Sequence, residues 1–596
     1  MSRTTISEHG DTLMRKTDET TGAEGAEEAT ATADTAGAEE TTDGDGPDGD
    51  TPDGKERDRD TTGGDAADAN KADSDTAGED ITDGDERPGA LRRLLPWIAL
   101  VVGAGAGALL SVGAFLGVYV RPTSDDWCAL WKARDMGPLG ITSDFYRTQN
   151  GRVTNAFVTG LLYSDGMRGP KLLPAFLIVT LGVGLFLLGR EALRALRLPF
   201  PAVAAATAVL MLEALLFLAG TRSYQVLLWA PSTISHTLPS VLGVWAALSA
   251  VWAARSRRPW ARSVAVGAAV LMGAAAGTLS EPFVAMSGLL AATVGVLCLP
   301  RLRLAHDRFA STWCAAWCLG LVIGSVVLFV SPGARWRRAQ QPKRPLSLSE
   351  IGATFQDWAR IWEAIGTQWA YAGALAAGAL LGLAVALRAR PDTGRAARPA
   401  TAHSAPRAAR SSTPRSAPRP TPGSAHPPRG ALLVIAVLPV PLIALGSLVT
   451  AYGLRGGYGA GGWTYARAWT SFLVPFLIAL CGYGAWLGHR IGRRLGARSA
   501  LAAVAAGIAG VVAVAGTAAL VAPTRTLTTR TVVRSVAWDR QDARIRAEAA
   551  AGREEVTYRP LFIGGLAEPF FTIVYEKDWV AQCAARSYGV DRLRRP

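Results

Sequence analysis

The chain has 596 residues, of which 49% are hydrophobic, and its formal net charge is +13. Its apolar residues come in long blocks rather than amphipathic stripes, which indicates a polytopic membrane protein rather than a row of soluble domains. A basic excess often suggests nucleic acid, but here it lies mostly in short loops between apolar blocks. The basic residues in these loops therefore indicate how the chain is oriented in the membrane, and we expect no nucleic-acid partner.

Residues 1–90 are rich in Asp, Glu, Gly, Thr and Ala and have almost no aromatic or branched apolar side chains. Such a segment cannot bury enough apolar surface to offset the entropy of ordering, so we expect a disordered acidic cytoplasmic tail. This tail is either an interaction segment or a solvating extension. Arg92 and Arg93 directly precede the first apolar block, and positive charge there holds the N-terminus in the cytoplasm.

The apolar blocks within residues 91–522 predict an all-α transmembrane domain of about 11 helices. The expected spans are residues 96–120, 171–189, 201–220, 238–254, 263–280, 283–300, 311–331, 367–387, 431–452, 468–488 and 499–522. Residues 388–430, rich in Pro, Ser, Ala and Arg, are expected to form a basic cytoplasmic loop. An odd number of spans places residues 523–596 outside the cell membrane, as a small extracytoplasmic C-terminal segment.

Residues 121–170 form the expected first extracytoplasmic loop, which is longer and more polar than a connector between two spans requires. It contains paired carboxylates, Asp125 and Asp126, and further along Arg152. A carboxylate at the membrane surface can act as general base toward an acceptor hydroxyl. The alternative is that the pair caps the helix that begins near Trp127.

Glu281 lies between two apolar blocks with almost no loop. An acid at such a depth is costly unless it has a partner or lines a wet cavity, so Glu281 is either a substrate or metal contact or the partner of an Arg. A divalent cation, Mg²⁺ or Mn²⁺, is the only cofactor considered, with Asp126 and Glu281 as candidate ligands. The six His residues have no zinc-ligand spacing, and His236 is expected to be a packed or capping residue.

Arg335, Arg337 and Arg338 form a basic cluster on the expected outer face, where positive charge is normally sparse. Guanidinium groups recognise phosphate through charge-assisted hydrogen bonds, so a lipid phosphate or pyrophosphate is a natural ligand. The alternative is snorkelling to the headgroups by an interfacial segment. Arg467 is a further, weaker example of positive charge on the expected outer face. The spacing of apolar side chains in residues 346–366 predicts a helix along the membrane interface.

Cys128 and Cys583 are both expected on the outer side, where an oxidising environment permits a disulfide between them. Such a bond would clamp the C-terminal segment over the first loop. The other four Cys fall within expected spans and resemble small apolar residues.

Five groups of short motifs follow one another along the chain. They are Asp125-Asp126-Trp127, Asn150-Gly151-Arg152, Ser331-Pro332-Gly333 with Arg337, Trp538-Asp539-Arg540, and Asp578-Trp579 with Tyr588-Gly589. With the long first outer loop and the short outer C-terminal segment, they resemble the GT-C glycosyltransferase superfamily. More narrowly, they resemble a bacterial integral membrane family related to polyprenyl-phosphate-sugar-dependent transferases. The likeness covers most of residues 96–590.

The resemblance implies transfer of a sugar from a polyprenyl-phosphate donor to an envelope glycan or glycoprotein acceptor outside the membrane. By the same resemblance, Asp125 or Asp126 is the base, and the region of Arg337 holds the donor phosphate. Two other classes stay open. A transporter or flippase of lipid-linked glycans would need polar residues inside its spans, where Glu213 and Glu281 are the candidates. A non-catalytic membrane protein that organises the envelope would act through its tails.

Overall fold

The computed structural model of the chain describes residues 90–220, 222–299, 307–340, 347–389, 436–495, 500–563 and 574–596. The expected acidic tail up to residue 89 lies outside the described residues. The expected basic loop at 388–430 also lies outside them, except for its first two residues.

The described residues fold into helices joined by short turns, with two short strands near the C-terminus. The first nine helices are α1 (Ala90–Phe115), α2 (Asp125–Thr148), α3 (Val153–Leu162), α4 (Arg168–Ala195), α5 (Ala202–Leu218), α6 (Ala230–His236), α7 (Leu238–Arg255), α8 (Pro259–Gly277) and α9 (Glu281–Leu297). The next nine are α10 (Arg308–Val330), α11 (Pro332–Gln340), α12 (Leu348–Gly366), α13 (Ala372–Arg388), α14 (Pro439–Tyr458), α15 (Thr470–Leu495), α16 (Ala500–Ala519), α17 (Val521–Ala550) and α18 (Trp579–Tyr588). The strands β1 (Glu555–Thr557) and β2 (Arg592–Arg594) pair in parallel.

Within the described ranges, 8 helices are long and apolar enough to cross a membrane. They are Leu91–Tyr119, Arg168–Ala195, Ala230–Arg255, Pro259–Gly277, Arg308–Val330, Trp369–Arg388, Ala466–Leu495 and Ala500–Ala550. The protein is therefore an all-α multi-pass membrane protein. The expected spans 201–220 and 283–300 fall on shorter apolar helices, α5 and α9. The span at 431–452 begins outside the described residues, so the larger count stays a prediction.

Glycines four residues apart bring pairs of helices into backbone contact. A Cβ on Gly378 of α13 would collide with the carbonyl oxygen of Cys481 on α15, and Gly382 meets α15 one turn later. Gly484 and Gly488 of α15 approach α13 in the same way. Helices α8 and α10 cross through a second such set, Gly273, Gly277, Gly320 and Gly324. In lipid, close backbone approach of this kind supplies the van der Waals contact that holds helices together.

The segment expected as a polar loop, residues 121–170, is folded into helices α2 and α3. Helix α2 is bent at Gly137, whose φ is +66°, and Pro138 follows it within the helix. Glycine accepts this left-handed conformation without a steric cost, and proline removes one backbone donor there. The paired aspartates thus stand on the first turn of a helix.

Helix α17 runs across the expected boundary at residue 523. It begins at Val521, directly after α16, and continues without a break to Ala550. Pro523 lies in its first turn, where the missing N–H costs nothing. After α17, Glu555–Thr557 form the strand β1, which pairs in parallel with β2.

Candidate functional site

The two aspartates at the start of α2 have different surroundings. Asp126 is 1% exposed, and its carboxylate accepts hydrogen bonds from the Tyr163 hydroxyl and, at 3.0 Å, from the backbone N–H of Thr123. Burial raises the pKa of Asp126 to about 7, and the two hydrogen bonds oppose that rise. Asp126 therefore anchors the start of the helix and has no free face for a substrate.

Asp125 is half-buried and points elsewhere. Burial raises its pKa, while the positive charges of Arg467 and then Arg337 act to lower it. Neither arginine is near Asp125 in sequence, since Arg337 lies on α11 and Arg467 lies just before α15. The fold thus brings one carboxylate and two guanidinium groups into one electrostatic cluster.

Arg467 is held by the helices around it. Its Nη1 donates to Oε1 of Gln225 at 3.1 Å, and its guanidinium lies 5.4 Å from the ring centre of Trp229 and 4.9 Å from that of Tyr465. Contacts of this kind fix the position of a guanidinium while leaving some of its five N–H donors for another partner. Tyr465 also stacks on Tyr458, with ring centres 4.3 Å apart.

Arg152 and Glu281 form an ion pair, with 2.6 Å between Nη2 and Oε2. The charge of Glu281 raises the pKa of Arg152 further above its ordinary value. Both side chains remain partly exposed, at 27% and 40%. The charges of Arg152 and of Arg467 both act on His236. Of the alternatives considered for Glu281, the structure has the one in which it pairs with an Arg.

Two of the sequence motifs pack directly against each other. Gly151 has φ +73°, and a Cβ there would collide with Oγ of Ser331 and lie 2.6 Å from the carbonyl oxygen of Leu328. A Cβ on Gly333 would lie 2.5 Å from the backbone nitrogen of Gln149. Glycine is needed at both positions for the turn before α3 to sit on the start of α11. This contact packs the start of α11 against the turn between α2 and α3.

The three arginines of α11 are not equivalent. Arg337 is the one whose charge acts on Asp125. Arg338 donates to the carbonyl oxygen of Phe329 at 2.6 Å and lies over the ring of Phe329, so it folds back on the end of α10. Arg335 is exposed. The structure thus places Arg337 in the cluster and directs Arg338 away from it.

The C-terminal segment is docked on the start of α2. Trp127 is 2% exposed and packs among Trp538, Tyr558 and Tyr588, at ring-centre distances of 6.1, 6.1 and 5.3 Å. A disulfide joins Cys128 to Cys583. The residues that follow Asp125 and Asp126 in α2 are therefore held by a part of the chain far away in sequence.

Arg534 of α17 adds polar contacts to the same junction. It is 5% exposed and donates to the carbonyl oxygens of Pro122 at 2.8 Å and Leu561 at 2.9 Å. Arg121 forms a bidentate ion pair with Asp539, at 2.6 and 2.9 Å. These contacts fix the backbone turn directly before Asp125. They can hold Ser124 in a strained left-handed conformation, with φ +53°.

Three side chains that build this site, Tyr163, Gln225 and Arg534, were not predicted from the sequence. Each is a common polar residue within or beside an apolar stretch, and each acquires its role only through a partner distant in sequence. His236, expected as a packed or capping residue, is half-buried, and the charges of Arg467 and Arg152 act on it. Its position between two apolar blocks was the feature of the sequence that could have indicated a place in the site.

A divalent cation finds no ready site in the part of the chain that the structure describes, where no group of three or more His, Cys, Asp or Glu could hold a metal ion. The two candidate ligands are engaged elsewhere, Asp126 with Tyr163 and Glu281 with Arg152. The residues present thus fit a site that neutralises negative charge with arginine.

Comparison of the chain with protein-family models, with curated proteins and with solved structures found no match.

Proposed function

We propose that the protein is a GT-C-type glycosyltransferase of the cell membrane, which moves a sugar from a polyprenyl-phosphate donor to an envelope glycan or glycoprotein on the outer face. The observation that carries the proposal is the position of Asp125, a half-buried carboxylate on which the charges of Arg337 and Arg467 act. Transfer from a lipid phosphate needs a base for the acceptor hydroxyl and cations for the departing phosphate. This cluster offers both.

In the proposed step, the acceptor oxygen attacks the anomeric carbon of the donor sugar, and the bond from that carbon to the phosphate oxygen breaks. Asp125 takes the proton of the acceptor hydroxyl, and the departing polyprenyl phosphate takes the electron pair. Negative charge then grows on the phosphate, where Arg337 and Arg467 stabilise it. The same two arginines favour the ionised form of Asp125, which a general base requires.

The surrounding residues have supporting roles in this proposal. Asp126, bound to Tyr163, orients the turn that carries Asp125. The partly exposed pair of Arg152 and Glu281 offers polar contacts to the sugar or acceptor. Tyr458, which is 50% exposed and stacked on Tyr465, offers an aromatic face beside Arg467 for the less polar side of a sugar ring.

The proposal includes the orientation of the chain, with about 11 spans, a cytoplasmic N-terminus and an extracytoplasmic C-terminus. Arg92 and Arg93 at the start of α1 support this orientation. The disulfide between Cys128 and Cys583 supports it independently, because disulfides persist on the oxidising side of a membrane. The cluster around Asp125 is then on the outer face, where lipid-linked sugars meet envelope acceptors.

One observation favours the rival reading as a transporter or flippase of lipid-linked glycans. Glu213, in the apolar helix α5, is 1% exposed, and its Oε1 has no hydrogen-bond partner within the described part of the chain. Ionisable residues inside the membrane often mark transport pathways. A transporter would need Glu213 and tolerate the loss of Asp125, whereas a non-catalytic organiser of the envelope would need neither.

The test compares envelope glycans by mass spectrometry in a strain that lacks the gene and carries the wild type, Asp125→Asn, Asp165→Asn or Glu213→Gln. Asp165 is a matched control, because it lies in the same segment but is exposed and paired with Arg168. Membrane levels of every variant are measured by immunoblot. We expect the wild type and Asp165→Asn to restore a lost sugar and Asp125→Asn to fail at equal abundance.

Full restoration by Asp125→Asn would remove the proposal. If, in addition, Glu213→Gln failed and lipid-linked glycan accumulated on the cytoplasmic side, the transporter would replace it.

A further inference from the structure

A cavity of about 200 Å³ lies among the ends of three helices, far from Asp125. Its walls are the start of α1, the start of α5 and the end of α13. The lining residues are Arg92, Leu95, Pro96, Pro201, Val203, Ala204, Ala384, Leu387 and Arg388. Asp125 follows the other end of α1, so the length of the membrane-crossing helix Leu91–Tyr119 separates this cavity from the cluster.

The lining combines two guanidinium groups with otherwise apolar side chains. Arg92 comes from α1 and Arg388 from α13, and both are exposed. Among the described residues, no acidic side chain lines the cavity, and neither arginine forms an ion pair. Two cations thus share one small space without an anion from the described chain.

Arg388 is already positioned at this cavity. Its Nη1 donates to the carbonyl oxygen of Phe200 at 3.1 Å, directly before the Pro201 that lines the wall. One bond holds the guanidinium in place, and its other N–H groups stay available for an acceptor. A planar guanidinium fixed in this way suits a phosphate oxygen better than a freely moving lysine would.

We propose that this cavity binds the phosphate of an anionic glycerophospholipid, with Arg92 and Arg388 on the phosphate and the first carbons of the acyl chains against Leu95 and Leu387. The two positive guanidinium groups favour a negatively charged headgroup. The apolar side chains of Leu95 and Leu387 favour a ligand with acyl chains over free inorganic phosphate. Basic cavities between membrane helices on the cytoplasmic side are suited to such lipids. The lipid would join α1, α5 and α13 on the face opposite the proposed transfer site, and it does not depend on that function.

The experiment is native mass spectrometry of the full-length protein in detergent, titrated with phosphatidylglycerol or phosphatidylcholine of the same acyl chains. The pocket variant is Arg92→Gln with Arg388→Gln. The control variant, Arg93→Gln with Arg257→Gln, removes the same charge from exposed residues that do not line the cavity. Thermal unfolding is recorded for every variant.

We expect the wild type and the control to retain one phosphatidylglycerol in preference to phosphatidylcholine. The pocket variant should bind it about 25-fold more weakly than the control, since each of its two arginines contributes about a 5-fold factor near an anionic lipid. Equal binding by the pocket and control variants would overturn the site, because attraction would then be general. Equal retention of both lipids by the wild type would overturn it even if the pocket variant failed to fold. A third titration, with undecaprenyl phosphate, overturns the choice of ligand if that lipid displaces phosphatidylglycerol from the wild type.

Discussion

The hydroxyl of Tyr163 donates a hydrogen bond to the carboxylate of Asp126, which joins the end of α3 to the first turn of α2. Both groups are buried, so removing one leaves the other without its partner. We expect Tyr163→Phe to lower the free energy of unfolding by about 1–3 kcal/mol. Thermal unfolding in detergent measures this, with Tyr452→Phe as the control, because Tyr452 is 57% exposed. Equal melting of the two variants would mean that the bond contributes nothing.

The pH dependence of stability should show the buried Asp126. Its pKa is about 7 in the folded protein, against 3.8 for an ordinary Asp. The folded state therefore binds the proton more tightly, so the contribution of Asp126 is full below pH 3.8 and is lost as the pH rises to about 7. That difference amounts to about 4 kcal/mol. We expect Asp126→Asn to flatten the melting temperature over this window, and an unchanged slope would contradict the assignment.

The sequence alone predicted a membrane protein of α-helices, because hydropathy is a local property and each apolar block can be recognised without its neighbours. It also named Asp125, Arg152, Glu281, Arg337 and Arg467, because charged residues beside apolar blocks stand out. Their grouping into one cluster depends on how helices pack, and a single sequence does not contain this information.

The sequence also could not predict the different roles of Asp125 and Asp126. Adjacent residues at the start of a helix point about 100° apart, and which one faces the cluster is set by the strained turn at Ser124. That turn is fixed in part by Arg534, which contacts the backbone at Pro122 from a distant helix. Sequence reasoning left catalysis and capping open for both residues, and the structure gives Asp126 buried bonds and Asp125 the charged neighbours.

The disulfide between Cys128 and Cys583 should stabilise the docking of the C-terminal segment on α2. Serine at either position or both should lower the free energy of unfolding by about 2–4 kcal/mol, and the double variant should be no worse than the singles. Limited proteolysis after α17 should become faster in all three. Cys298→Ser is the control, since Cys298 is free and lies at the end of α9. Additive losses from the two serines would show that the thiols act separately.

The crossing of α13 and α15 should tolerate no side chain at Gly378. A Cβ there collides with the backbone of Cys481, so we expect Gly378→Ala to lower the free energy of unfolding by about 1–3 kcal/mol. Gly482, one residue after Cys481 on α15, has open space around it. Gly482→Ala should be neutral or stabilise by up to about 1 kcal/mol, because alanine has the higher helix propensity. Thermal unfolding compares the two, and the reverse order would contradict the packing.

Arg337 and Arg467 should control the ionisation of Asp125 as well as the phosphate. Because both charges lower the pKa of Asp125, Arg337→Gln or Arg467→Gln should raise it and move the acidic limb of the transfer-rate profile to higher pH. Loss of one phosphate contact should also slow transfer about 10- to 100-fold. Arg338→Gln is the matched control, since Arg338 is bound to the carbonyl oxygen of Phe329. If all three variants shift the profile equally, the effect belongs to the net positive charge around Asp125, and neither Arg337 nor Arg467 is its specific partner.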